Sequence, residues 1–324
     1  MLEYKKFTDC DYGPLNPKVN LEPDFYTGFE PSLRTEIVCE EEKFYHSITA
    51  PYSVDDKLDK LYHTFHARDG AELKVKSYIP KNMNDNSPAY IFIHGGGFVT
   101  CSVETHDFVP SYIAANTGFA AFSIEYRLAP EYKFPKGLED CYDAILWIID
   151  NAGRFGIDAG RLCLSGDSGG GNFTAALCVM ARSSGEDLFK SQILIYPATD
   201  MSGDIYKKSY EVYSSGSGNS QENQKEMMST TIKRYLTLDV DLKNPLVSPF
   251  WTEDVTGFPS ALFIQAECDA LLDDGLIYAQ KLADAGVMVE CEIYKGMPHA
   301  FILRTYEETF AALDRMCGFF KANT

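Results

Sequence analysis

From Ala89 onward the chain alternates between two periodicities, and this limits it to few folds. Short β-rich runs at Tyr90–Ile93, Phe119–Ile124, Leu162–Leu164, Gln192–Tyr196, Ala261–Gln265 and Val287–Tyr294 are separated by helical patterns. Such alternation is the mark of a parallel sheet with crossover helices. Leu138, Cys141, Tyr142, Ile145 and Ile149 recur at helical spacing, as do Leu272, Leu276, Ala279, Leu282 and Ala283 ahead of a helix-ending Gly286. A further helix is predicted from about Asn172. It is apolar all round through Ala175–Met180, as expected of a helix buried against a sheet. The 324 residues are 45% hydrophobic, enough for one large core or a core plus a cap. The fold class read from these features is α/β, with a mostly parallel central sheet flanked by helices.

Ahead of that alternation, Tyr62–Ile79 reads as a strand hairpin broken at Arg68-Asp69-Gly70, with Leu73, Val75 and Ser77 on one face. His63 and His66, three apart in a strand, fall on opposite faces and would not share a metal. The first sixty residues mix Pro14, Pro17, Pro23 and Pro31 with Tyr4, Phe7, Tyr12, Phe25, Tyr26 and Phe29. The aromatics predict a segment that packs on the rest, and the prolines predict that it lacks long helices.

The connection from Tyr196 to Ala261 spans about sixty residues, where one helix would suffice for a crossover. Its excess is read as a cap. The insertion contains a Gly/Ser-rich run, residues 214–220, then Met228, Ile232, Tyr235 and Leu236 at helical spacing, a pattern that suits a lid. Tyr206, Tyr210 and Tyr213 fit pocket lining and plain surface packing equally well.

The net charge of −18 disfavours nucleic acid and anionic membrane as partners and suits neutral or cationic ligands. No apolar run approaches the ~20 residues of a transmembrane span, and Met1–Lys6 lacks the basic-then-apolar order of a secretion signal, so a cytoplasmic protein is expected. Nine cysteines without a Cys-x-x-Cys pair suit reduced thiols better than a disulfide framework or zinc site. No metal or cofactor is expected.

Chemistry enters at Gly166-Asp167-Ser168-Gly169-Gly170, where a β-rich run stops and a helix begins. A strand reversing sharply into a helix leaves its apex residue strained, with little room beside it, and glycines supply that room. The pentapeptide alone recurs by chance in roughly one chain in ten of this length, so its partners decide. A serine nucleophile needs a base, an acid to orient the base, and donors for the oxyanion. His94-Gly95-Gly96-Gly97-Phe98 follows a core strand, and its glycines let backbone N–H groups approach a substrate oxygen. Gly96 and Gly97 are the preferred donors, joined by the N–H of Gly169. Of six histidines, only His299 follows the last strand on a loop. His94 is committed to the glycine turn, and His106, at the start of a helix, suits capping or pocket lining. The acid should leave the strand Ala261–Gln265, where Glu267, Asp269, Asp273 and Asp274 compete. Asp269 is preferred, because Glu267 comes too early and Asp273 and Asp274 suit the first turn of a helix.

In order along the chain, His94–Phe98, Tyr126-Arg127-Leu128-Ala129-Pro130-Glu131, Gly166–Asn172 and the Asp269 and His299 regions resemble the hormone-sensitive lipase-like family of α/β-hydrolases, in its bacterial esterase branch. The resemblance spans roughly residues 60–320. It implies an α/β-hydrolase fold of residues 61–198 and 246–324, a cap from the N-terminal segment 1–60 and the insertion 199–245, and catalysis by Ser168, His299 and Asp269 with Gly96, Gly97 and Gly169 as oxyanion donors. Gly169 stands where the family usually has alanine, Ala270 where proline is common and Ala300 where glycine usually follows the histidine. The implied activity is a serine carboxylesterase acting on short acyl esters, acetyl to about hexanoyl, through an acyl-enzyme, a small neutral ester being the expected partner. Amidase or peptidase action on the same residues, and a non-catalytic ligand receptor on the same scaffold, are the alternatives. A homodimer is one assembly open to it.

Overall fold

A computed structural model of the protein describes residues 12–19, 30–213 and 229–324. Eight strands form one sheet: β1 (Leu58–His66), β2 (Glu72–Pro80), β3 (Ser87–Ile93), β4 (Ala120–Glu125), β5 (Ile157–Asp167), β6 (Ser191–Ile195), β7 (Ser260–Cys268) and β8 (Val289–Pro298). Their order is β1-β2-β4-β3-β5-β6-β7-β8. The β1/β2 and β2/β4 pairs are antiparallel and every later pair is parallel.

Alternation along each central strand feeds two cores. Ala89, Ile91 and Ile93 of β3, with Leu162 and Leu164 of β5, face the helices Lys136–Asp150 and Gly169–Ser183. Tyr90 and Phe92 of β3, with Cys163 of β5, face the helices Phe108–Thr117 and Glu307–Ala322. Because both faces are covered, β3 is buried along its whole length, as central parallel strands are. In the hairpin, Leu73, Val75 and Ser77 are buried as expected, but so are Lys76 and Tyr78 of the opposite face. The helix Phe108–Thr117 lies over that side and contacts β2.

The N-terminal segment departs from expectation. Residues Arg34–Thr49 form a 16-residue α-helix. The four prolines all precede it, and Pro31 begins a single 3-10 turn, where a missing N–H costs nothing. Residues 34–49 contain neither proline nor glycine. Proline count therefore misled where proline position was decisive. Tyr4, Phe7, Pro23, Phe25, Tyr26 and Phe29, like the run 214–220 and Met228 in the insertion, lie outside the described residues.

Within the insertion, Lys208–Tyr213 and residues 229–235 are helical. Tyr235 and Leu236 are buried and Ile232 packs on the main core. Tyr206 is 70% exposed and its hydroxyl donates to Glu211 at 3.0 Å, whereas Tyr213 is buried and its hydroxyl donates to the Gly13 carbonyl. No helix among the described residues is long and apolar enough to cross a membrane.

Candidate active site

Strand β5 ends at Asp167 and a helix starts at Gly169, so Ser168 alone makes the reversal. Its φ of 52° and ψ of −116° lie in a sparsely populated region that costs a side-chain-bearing residue about 1–3 kcal/mol. Neighbouring bonds hold it there: Ser168 N–H donates to the Ile195 carbonyl at 2.9 Å and the Ser168 carbonyl accepts from Asn172 N–H at 3.0 Å. The glycine requirement is steric. A Cβ on Gly170 would lie 2.0 Å from the Ile93 carbonyl oxygen, and one on Gly166 would lie 2.3 Å from that of Gly170.

His299 follows β8. Its Nε2 lies 2.9 Å from Ser168 Oγ, and its Nδ1 lies 2.6 Å from Asp269 Oδ2. The imidazole is 38% exposed and Asp269 is buried. Asp269 Oδ1 accepts the N–H of Leu271 at 2.9 Å, which fixes the carboxylate with its other oxygen on the ring. Burial alone would lower the pKa of His299, but the charge and hydrogen bond of Asp269, with the charge of Asp167, hold it above the ordinary histidine value. Ala300, the residue after it, has φ +62°, a left-handed geometry that glycine adopts without penalty.

The competing acids have other tasks. Glu267 is still within β7 and accepts Gly296 N–H and Lys295 Nζ, each at 2.7 Å, bracing the end of β8 just ahead of His299. Asp273 and Asp274 do lie in the first turn of the helix Leu272–Asp284, but both are buried and tie down the insertion. Asp273 accepts Ser209 N–H, and Asp274 accepts Asp200 N–H and Lys207 Nζ.

After β3, Gly96 and Gly97 take φ of +104° and +57°. A Cβ on Gly169 would lie 3.5 Å from Gly97 N, so these two predicted donor residues face each other beside Ser168. The motif Tyr126–Glu131 builds the wall behind them. Tyr126 stacks on His94 at 4.3 Å and donates to the His94 carbonyl at 2.9 Å. Ala129 N–H donates to the Phe98 carbonyl at 2.9 Å, and Glu131 pairs with Arg34 of the N-terminal helix at 2.8 Å. Burial, with the neighbouring His106, lowers the His94 imidazole to about 3, so it is neutral.

His106 was the residue that pattern reading placed least well. It does not cap the helix; it borders a small cavity with Tyr45, Thr49 and Ile302, and, buried, its Nε2 lies 3.2 Å from Asp167 Oδ1, which also accepts Gly95 N–H at 2.8 Å. The partners are 61 residues apart and no spacing announces them. Lys207 and Lys133, described below, escaped notice for the same reason. Among the described residues no group of three His, Cys, Asp or Glu side chains is arranged to hold a metal ion.

A sequence profile described as the alpha/beta hydrolase fold matches residues 90–303. The chain is 35% identical over 231 residues to an arylesterase of Saccharolobus solfataricus, covering 71% of this chain and 73% of that one. It is 34% identical to an ethyl acetate hydrolase of Pseudomonas putida, covering 72% and 73%. A solved esterase of Pyrobaculum calidifontis superposes with a TM-score of 0.84 at 32% identity, covering 95% of this chain and 99% of that one. The chain belongs to the α/β-hydrolase family, as the resemblance to its hormone-sensitive lipase-like members implied.

Proposed function

We propose that the protein is a serine carboxylesterase that hydrolyses small, neutral, short-chain esters, acetyl to about hexanoyl, through an acyl-enzyme. The observation that carries this reading is the unbroken chain Ser168 Oγ, His299 Nε2, His299 Nδ1, Asp269 Oδ2, with its links of 2.9 and 2.6 Å. The reaction proceeds in two halves. Ser168 Oγ attacks the ester carbonyl while His299 Nε2 takes its proton, and Asp269 holds the ring and stabilises the imidazolium. The oxyanion is met by backbone N–H groups of Gly96, Gly97 and Gly169, which need no reorganisation as charge develops. Collapse expels the alcohol, protonated by His299, and leaves an acyl-serine. Water then enters by the same route, and the acid departs.

The named relatives, an ethyl acetate hydrolase and an arylesterase among them, support esters as substrates. The insertion 199–245 and the segment 1–60 act as the cap over a core of residues 61–198 and 246–324. Thr231 of the insertion lies close to Gly97, since a Cβ there would be 3.3 Å from Thr231 Cγ2, which supports a preference for short acyl groups.

Ser168→Ala should abolish turnover of p-nitrophenyl acetate in a protein that still unfolds cooperatively, and retained activity would sink the assignment. A series of p-nitrophenyl esters of rising chain length should show kcat/KM highest for the short acyl groups.

A further inference from the structure

The loop proposed to hold the oxyanion is costly to hold in shape. Its glycines take positive φ freely, but Phe98 and Cys101 each have φ +67°, a geometry disfavoured for residues with side chains. Something must hold Phe98 there. Its carbonyl accepts the N–H of Ala129, and its ring lies 5.1 Å from Phe173; both partners belong to the core. The closest ring contact comes from the insertion. Tyr235 stacks on Phe98 with centroids 4.0 Å apart and planes 12° from parallel.

Tyr235 ends the helical residues 229–235 of the insertion. The same helical segment sets Thr231 against the glycine turn, since a Cβ on Gly97 would lie 3.3 Å from Thr231 Cγ2. Its last carbonyls are gathered by one cation. Lys133 Nζ donates to the carbonyls of Lys233, Arg234 and Leu236, the latter two at 2.9 Å, and Phe134 N–H donates to that of Tyr235 at 2.9 Å. Helix C-termini leave such carbonyls open and favour positive charge, so Lys133 fastens the helix to the core segment beside the catalytic loop.

We propose that Lys133 and Tyr235 are positioning residues for ester hydrolysis. Lys133 fixes the end of the insertion's helix, and Tyr235, through Phe98, keeps the oxyanion loop in the left-handed conformation that directs Gly97 N–H toward the substrate oxygen. The proposal rests on the esterase reading. On this account the insertion completes a contact made in the transition state, so its docking acts on kcat and not on substrate affinity.

Lys133→Met keeps the alkyl stem and removes the ammonium, whereas Tyr235→Leu removes the stacking ring and leaves the ammonium. Each should lower kcat for p-nitrophenyl acetate about 10-fold, a fraction of the roughly 10²–10³-fold that losing an oxyanion donor costs. KM should change little, and Ser168 should still be labelled fully by a fluorophosphonate. Lys133→Arg should recover most of the loss. The double variant should lose no more than the worse single, because the two act in one line of contacts. A raised KM with unchanged kcat, or losses that multiply in the double variant, would overturn the proposal. If the parent protein turns over no ester and Ser168 takes no label, the esterase reading fails instead. A variant that has lost cooperative unfolding is set aside, and the other single variant with Lys133→Arg then decides.

Discussion

His106 Nε2 lies 3.2 Å from Asp167 Oδ1, directly behind the turn that presents Ser168. Asp167 also accepts Gly95 N–H at 2.8 Å, so one buried carboxylate ties the nucleophile's turn to the glycine loop. Burial raises the Asp167 pKa, but the charge and hydrogen bond of His106, with the Gly95 N–H, more than reverse this and hold it below 3.8. A depressed carboxylate contributes stability that is fully present above its unfolded value and lost as pH falls through the folded one. We predict that His106→Ala leaves this carboxylate poorly compensated, costing about 3–5 kcal/mol at neutral pH. In the variant, burial should prevail, so its stability should improve as the pH is lowered toward 4. Urea midpoints across that range test this, and an unchanged midpoint at neutral pH would refute it.

The proposed Asp269–His299 pair sets the pH profile. Asp269 holds the His299 pKa above 6.5 against the opposing effect of burial, and the imidazole must be neutral to accept the Ser168 proton. The acid limb of kcat/KM should therefore have its midpoint above 6.5. Asp269→Asn removes the charge, so burial should draw the midpoint to lower pH while kcat falls by about 10⁴-fold, the scale observed for such a change in a Ser-His-Asp enzyme. An acid limb that stays in place would show that another group titrates there.

The insertion is anchored by a second buried ion cluster. Lys207 Nζ lies 3.0 Å from Asp274 Oδ1 and 3.2 Å from Asp200 Oδ2, with all three side chains buried. Burial raises Asp274 to about 6 even though Lys207 pulls it down. A raised acid favours the folded state below pH 3.8, and that advantage is lost as pH rises through about 6. Lys207→Met should cost about 3–5 kcal/mol at neutral pH and less at mildly acid pH, where protonated carboxyls no longer need the cation. Equal losses at both pH values in denaturant titrations would count against this.

What could be read from sequence and what could not divide along a physical line. Gly166, Gly170 and Gly96 are legible because backbone crowding or positive φ excludes other residues there: a Cβ on Gly96 would lie 2.3 Å from the Thr100 carbonyl oxygen. Strands β3, β4, β6 and β7 and the second half of β5 were legible because burial on both faces writes apolar runs into the chain. Asp269 and His299 were found by their places after β7 and β8. The pairs His106–Asp167 and Lys207–Asp274 left no trace, since a contact joined only by folding imposes no spacing on either segment. The helix Arg34–Thr49 was missed for a different reason, because nearby prolines stop a helix from starting but do not shorten one that begins after them.

Gly169 stands beside the nucleophile itself, where the resemblance implies alanine. A Cβ there would meet Phe98 Cε1 at 3.3 Å and Gly97 N at 3.5 Å. The second is an ordinary contact; the first requires the ring to give by a few tenths of an ångström. Gly169 has no positive φ, so alanine needs no backbone change, and in the first turn of a helix it gains propensity of up to about 1 kcal/mol. The ring stacks on Tyr235 at 4.0 Å and meets Phe173, tilted, at 5.1 Å, and its displacement should offset part of that gain. Gly169→Ala is therefore expected to fold with a melting temperature close to the parent's and to keep kcat for p-nitrophenyl acetate within about 10-fold, well short of losing an oxyanion donor. A folded but inactive Gly169→Ala would mean that the Phe98–Tyr235 stack tolerates no displacement, and that the missing methyl is a requirement of this oxyanion loop.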